Sequence, residues 1–329
     1  MTPDDSARSA AEETPCSTAE AARLMIAGAR MRDRTDALAA FERAVAVEPD
    51  SALPWLWLAT ATDRLDVVDA RIDVALDLDL GGQAWRTACG ELLMVLGLRR
   101  LPARPDRARA ILLEATYVLP KDARAWVAMA ASSGTAATRA AYLERAIELN
   151  NIDQDAVRWE LVRTIVAQAM EHVEDDRTAA ARDTLVRATS WAPAEPRLWA
   201  LAVQLAQQDS MRAALMSRAL TVNAGDHGFA VMLRAALGRP SDWSVRTRFP
   251  QVGRTDADPE LQAELAQLSN TLAARSHLVE SYRSRPFCER LLRSAIDLTA
   301  SVLPEAASRP ALGPGETSGD RHVGGFRLS

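Results

Sequence analysis

The sequence predicts an all-α protein built as a stack of helical hairpins. Three observations carry this expectation. Ala, Leu and Arg dominate the 329 residues, and all three favour helix, while runs of Val, Ile and Thr bounded by turn residues are scarce. A small, large, small, Pro pattern recurs three times at identical offsets: Ala37, Phe41, Ala44 and Pro49; Ala108, Leu112, Ala115 and Pro120; Ala181, Leu185, Ala188 and Pro193. Six residues after each of these prolines stands a tryptophan, Trp55, Trp126 and Trp199, at separations of 71 and 73 residues.

Each element has a physical reason. Small Ala residues let two helices approach closely, and Phe41, Leu112 or Leu185 fills the space beside them. The proline cannot continue a helix, so it closes the second helix of each pair. The stretches "EPDS", "PKDA" and "APAEP" then supply turn and N-cap residues. Weaker copies without proline lie between the strong ones: Ile72 and Ala75 before Leu80, Leu143 and Ala146 before Asn151, Met216 and Ala219 before Ala224. Trp85 and Trp159 open the units that follow the first two weak copies. One hairpin cannot bury its apolar face alone, whereas a stack can.

This arrangement resembles the tetratricopeptide repeat family, in a divergent form, over residues 18–226 or so. The family's first helix carries Trp, then Leu three residues on, then a small residue. Trp55, Leu58 and Ala59 fit it, as do Trp126, Met129 and Ala130. The resemblance implies a right-handed α-solenoid of stacked helix-turn-helix repeats whose first helices line a concave groove. Ala59, Cys89 and Ala130 replace the family's usual Gly, and Thr62 and Ser133 replace its Tyr. Short and long hairpins alternate: 25 residues separate Trp55 from Leu80, and 35 separate Trp85 from Pro120. The extra residues are expected between the helices of the long pairs, as one basic loop, "LRRLPARPDR", and one acidic loop, "EHVEDDRT".

The expected boundaries follow from composition. Residues 1–16 are acidic, lack an apolar run and are expected to be disordered, and residues 17–238 form the helical repeats. A polar connecting loop covers 239–257. Residues 258–303 form a C-terminal helical segment, broken or kinked at Pro286, that caps the open end of the solenoid. Residues 304–329, rich in Pro, Gly, Ser and charge, are expected to be a disordered tail.

Chemistry-bearing patterns are sparse. The net charge of −5 argues against nucleic acid, although almost all positive charge is Arg, with Lys121 the single lysine. Cys16, Cys89 and Cys288 are far apart and read as reduced thiols, the usage of a cytoplasmic chain. His172, His227, His277 and His322 are scattered, with no metal-ligand spacing among them. There is no GxSxG motif, no P-loop and no apolar run long enough for a membrane span. The expectation is no enzyme activity, no cofactor, no metal and no small-molecule substrate.

The expected function is a non-enzymatic scaffold or adaptor that binds a partner protein or peptide, with homo-oligomerisation left open. The alternative is a regulatory or sensor subunit acting through its C-terminal helices. A helix turns about 100° per residue, so Trp55, Leu58, Ala59 and Thr62 share a packed stripe, and Trp57 points elsewhere. The groove residues are then Trp57, Thr60 and Arg64, Val127 and Ala131, and Leu201, Gln204 and Gln208. For Trp57, burial against the chain itself is the competing expectation. The edge loops offer Arg99, Arg100 and Arg104 on the basic side and Glu174 and Asp175 on the acidic side. The family's carboxylate clamp is missing, since Ala22, Ile26 and Trp57 stand where it needs polar side chains.

Overall fold

The computed structural model describes residues 3–237, 259–275, 277–301 and 303. The expected connecting loop 239–257 and tail 304–329 lie outside the described residues. Those described form sixteen helices and no strand; Ser51 and Asp79 make one isolated bridge. The chain divides into two compact units, residues 1–132 with 281–329, and residues 133–280.

Unit 1 contains α1 (Pro3–Arg30), α2 (Arg34–Val47), α3 (Ala52–Thr60), α4 (Leu65–Leu76), α5 (Gln83–Arg100), α6 (Pro105–Val118) and α7 (Ala123–Ser132). α1 thus begins inside the stretch whose composition predicts disorder. α1 packs on α2, α3 on α4 and α5 on α6, while α2 packs on α3, α3 on α5 and α6 on α7. The repeat residues make these contacts close. Ala37, Ala44, Ala108 and Ala115 are fully buried, as are Phe41 and Leu112. Phe41 lies against Gly28 and Leu112 against Gly97, so closely that a Cβ at Gly28 would stand 2.7 Å from the Phe41 ring and one at Gly97 2.6 Å from Leu112. Asp33 caps α2 by accepting from the Thr35 and Asp36 amides at 2.7 and 3.2 Å.

The Pro-to-Trp spacing also acquires a cause. The indole N–H of Trp55 donates to the Pro49 carbonyl at 3.0 Å, and that of Trp126 to the Pro120 carbonyl at 3.1 Å. The tryptophan therefore closes the turn that the proline opens, at the hairpin's edge. This corrects the expected roles of the two α3 tryptophans. Trp55 is half-exposed, because its ring is held at the turn, whereas Trp57 is 3% exposed.

The long hairpins differ from expectation as well. Their extra residues lengthen the first helix instead of forming loops: α5 has 18 residues against 9 in α3. Arg99 and Arg100 are helical, and only residues 101–104 separate α5 from α6. The apolar sequence around Gly97 allows this, since a longer helix buries more apolar surface.

Unit 2 contains α8 (Ala136–Leu149), α9 (Gln154–Glu174), α10 (Thr178–Trp191), α11 (Pro196–Gln204), α12 (Asp209–Val222), α13 (His227–Ala236) and α14 (Pro259–Arg275). α9 packs on α8 and α10, and α11 on α10, α12 and α13. Asn150, at φ 50° in the left-handed region, ends α8. Ala181, Leu185 and Ala188 are fully buried, and Trp199 repeats the turn closure by donating to the Pro193 carbonyl at 2.9 Å. Trp199, Ala200, Ala219, Phe229 and Leu233 form one cluster. α9 runs 21 residues, so most of the predicted acidic loop is helix and only residues 175–177 connect to α10.

α15 (Leu278–Arg283) and α16 (Arg285–Ala300) complete the chain. The break between them falls at Ser284, with Pro286 in the first turn of α16, where a missing N–H costs nothing. The expected C-terminal cap takes another form. Within unit 1, α16 packs on α5 and α1, and within unit 2, α14 packs on α9 and α11. All four of those helices are the first members of their hairpins.

Candidate functional site

The site begins with α5. Its residues from Ala88 to Leu98 are all buried, and so are Trp85 and Arg100. A helix buried all round needs neighbours on every side. α3, α6 and α7 cover part of it, and α16 covers the remainder. α16 is built for this. Phe287, Cys288, Leu291, Leu292, Ala295 and Thr299 are buried and fall on one stripe, while Arg290, Arg293 and Asp297 are exposed.

The seam beneath α16 is apolar with a few directed polar groups. The Trp57 indole stacks on Phe41 at 5.7 Å between centroids and donates to the Thr299 hydroxyl at 3.4 Å. Glu91, 1% exposed, accepts at Oε1 from Arg124 at 2.9 Å and from the Ser294 hydroxyl at 3.0 Å. Burial pushes the Glu91 carboxyl up, against the opposing pull of Ser294 and Arg124. Its second oxygen, Oε2, is buried without a partner. Burial also disfavours the charge of Arg124, but Asp122 and Glu91 outweigh it and keep the guanidinium protonated.

Near the other end of α5, Arg99 donates to the Thr60 carbonyl at 3.4 Å, and its Nη2 is buried without a partner. Burial lowers its pKa, and the positive charges of Arg34, Arg100 and Arg285 act in the same direction. The Cys288 thiol of α16 feels this guanidinium, although burial dominates and pushes the thiol up. Arg283 donates to the Ala131 carbonyl, and the Tyr282 ring meets Phe287 at 4.0 Å.

The predicted residues are distributed unevenly around this seam. Trp57, Thr60 and Arg99 meet: the Thr60 hydroxyl donates to the Trp57 carbonyl at 2.7 Å, and Thr60 is buried. Val127 and Ala131 are fully buried in α7. Arg64 is elsewhere, exposed at the start of α4 and paired with Asp66 at 2.8 Å. Arg100 and Arg104, read as a basic edge, are neutralised by Asp69 of α4, at 2.7 and 2.6 Å. Burial works against that carboxylate, but Arg100, Arg104 and Arg107 hold it below its usual range. In unit 2, Leu201 is buried, Gln204 half-buried, and Gln208 exposed as the N-cap of α12. Glu174 is exposed at the end of α9, and Asp175 beyond it pairs with Arg177.

Glu91, Arg124, Ser294 and Thr299 are the seam residues that sequence reasoning missed. One signal for Glu91 was present: a lone carboxylate inside the apolar run "CGELLMVLGL". Such a carboxylate needs a partner from another element.

Unit 2 has a counterpart. Leu265, Leu268 and Leu272 of α14 are buried. The Arg275 guanidinium lies 4.9 Å from the centroid of the half-buried Trp159 ring and pairs with Glu195 at 2.9 Å. Unit 1 also has a cleft of about 760 Å³, where Glu48, Asp50 and Asp79 stand beside Trp85. The buried Trp85 N–H has no acceptor, because the carbonyl six residues before it, that of Asp79, accepts from Ala52 instead, at 2.9 Å. Among the described residues there is no cluster of metal-binding side chains.

Comparison with protein-family models gives no match, and comparison with curated proteins gives none either.

Proposed function

We propose that the chain is a non-enzymatic interaction scaffold of tetratricopeptide type: a right-handed α-solenoid whose first helices form grooves for a partner protein or peptide. One observation supports this reading above the rest. The first helices of three hairpins, α1, α3 and α5, already meet a helix, α16, through an apolar stripe and a few aimed polar contacts. That is the helix-in-groove mode of recognition. The proposed setting is the cytoplasm, and no helix among the described residues is long and apolar enough to cross a membrane.

The test is affinity capture from native extract with the tagged full chain, wild type against Leu291→Asp, which puts a charge on the buried stripe of α16. A partner enriched several-fold by the variant supports the groove. Nothing captured beyond the tag control, by either chain, overturns it. A second reading, a regulatory subunit acting through the C-terminal helices, is favoured by the charged outer face of α16. Reversing Arg290, Arg293 and Asp297 together abolishes capture under that reading and leaves it intact under the first.

A further inference from the structure

The seat of α16 is chemically mismatched to its occupant. An unpaired polar atom that has lost water is costly, so buried atoms are normally satisfied. Two at this seam are not: Oε2 of Glu91 and Nη2 of Arg99. Glu91 points at α16, since its other oxygen takes the Ser294 hydroxyl. Arg99 acts on α16 as well, since the Cys288 thiol feels its charge. Ser294 offers one neutral donor where a carboxylate stands, and Cys288 offers a poor acceptor where a guanidinium stands.

The two mismatches have opposite sign and a fixed order. Arg99 lies eight residues after Glu91, about 12 Å along α5, while Cys288 lies six before Ser294. α16 therefore runs antiparallel to α5. A better occupant carries a negative charge early and a positive charge late, which is also the distribution its own helix dipole favours. Around Arg99 the remaining charges, Arg34, Arg100 and Arg285, add to the attraction for an anion.

We infer that this face is a docking groove for an amphipathic helix bearing a carboxylate where α16 has Cys288 and a cationic side chain where α16 has Ser294. α16 is the groove's weaker, internal occupant, and such a helix displaces it. This rests on the reading of the first helices as a protein-binding face and adds to it the ligand's chemistry and its regulation.

The experiment uses the full chain with Cys16→Ser and three labelled peptides of residues 285–301: natural, Cys288→Asp with Ser294→Lys, and the charge-reversed Cys288→Lys with Ser294→Asp. Anisotropy reads affinity, and alkylation of the chain's own Cys288, 4% exposed when α16 is seated, reads displacement. The doubly charged peptide binds about tenfold more tightly than the natural one, the effect of one charge-assisted hydrogen bond. It also accelerates Cys288 alkylation, and the reversed peptide binds worst. Glu91→Gln with Arg99→Gln in the chain removes the ranking. Equal affinities, the opposite order, or no binding to either wild type or Leu291→Asp overturns the inference.

A second arm needs no peptide. Cys288→Asp in the full chain slows amide exchange in α16 several-fold, and Cys288→Lys speeds it. Faster exchange in Cys288→Asp overturns the inference as well. Ranked peptides with no captured partner keep the groove's preference and overturn the scaffold reading instead.

Discussion

α5 and α9 each hold a C-terminal helix, and they do so differently. The α16 seam buries its polar groups: Glu91, Thr299 and the Trp57 indole lie within it. The α14 contact buries three leucines and keeps its charges at the rim, where Arg275 pairs with Glu195 and Arg197 reaches Thr271 at 3.4 Å. Rim charges stay hydrated and contribute little. Buried ones must find partners, and those left unsatisfied lower the stability of the docked state. The α14 seam is that of a structural helix, and the α16 seam is that of one whose seat suits another chemistry better.

The sharpest test of this contrast concerns the two tryptophans of α3. Trp57→Ala removes a buried ring stacked on Phe41 and costs about 3–5 kcal/mol. Trp55→Ala costs about 1–2 kcal/mol, because its half-exposed ring chiefly provides the hydrogen bond to Pro49. Urea unfolding followed by tryptophan fluorescence measures both, and equal losses would erase the distinction between core and turn.

Next come the docking leucines. Leu291→Ala and Leu268→Ala each cost about 2–4 kcal/mol. Hydrogen exchange should localise the first loss to α5 and α16, and the second to α9 and α14. A loss spread over both seams would show that they do not act separately.

Glu91 gives a smaller effect with a defined sign. Burial raises its carboxyl above the usual range, so the folded unit holds the proton more tightly than the unfolded chain does. Stability from this group is present at acidic pH and falls as pH rises from the ordinary carboxyl value through the raised one. Glu91→Gln removes that fall and keeps a donor and an acceptor in place. Melting temperatures across pH 4–8 that run parallel in wild type and variant would refute it. Cys89, pushed up to about 12 by burial, should stay unmodified by alkylating reagents at pH 8 in the folded chain, which keeps the Cys288 readout clean.

The smallest effect belongs to the rim of the α14 seam. Arg275→Ala loses a half-exposed ion pair and a cation–π contact with Trp159, worth about 1 kcal/mol together. A loss as large as that of Leu268→Ala would make the rim, and not the leucines, the source of docking.

Much of the architecture was legible in local spacing. Helix ends at Pro49, Pro120 and Pro193 follow from proline's missing N–H and its clash with the preceding turn. Burial of Ala37, Phe41 and Ala44 follows from the need for one small-large-small face per hairpin. The long hairpins were less legible, because "LRRLPARPDR" contains turn residues late in the stretch, and helical burial of Leu98 and Arg100 extends α5 up to them.

The candidate site was legible only in its apolar half. Angular position on α3 separates Trp57 from Trp55, but no local rule says which stripe is covered. Helical periodicity alone determined the stack of hairpins, since 3.6 residues per turn ties spacing to one face. Only the tertiary structure decided that α16 returns to α5 across some two hundred residues. That choice depends on complementary surfaces that a linear pattern does not encode: an apolar wall on α1, α3 and α5, a matching stripe on α16, and the meeting of Glu91 with Ser294.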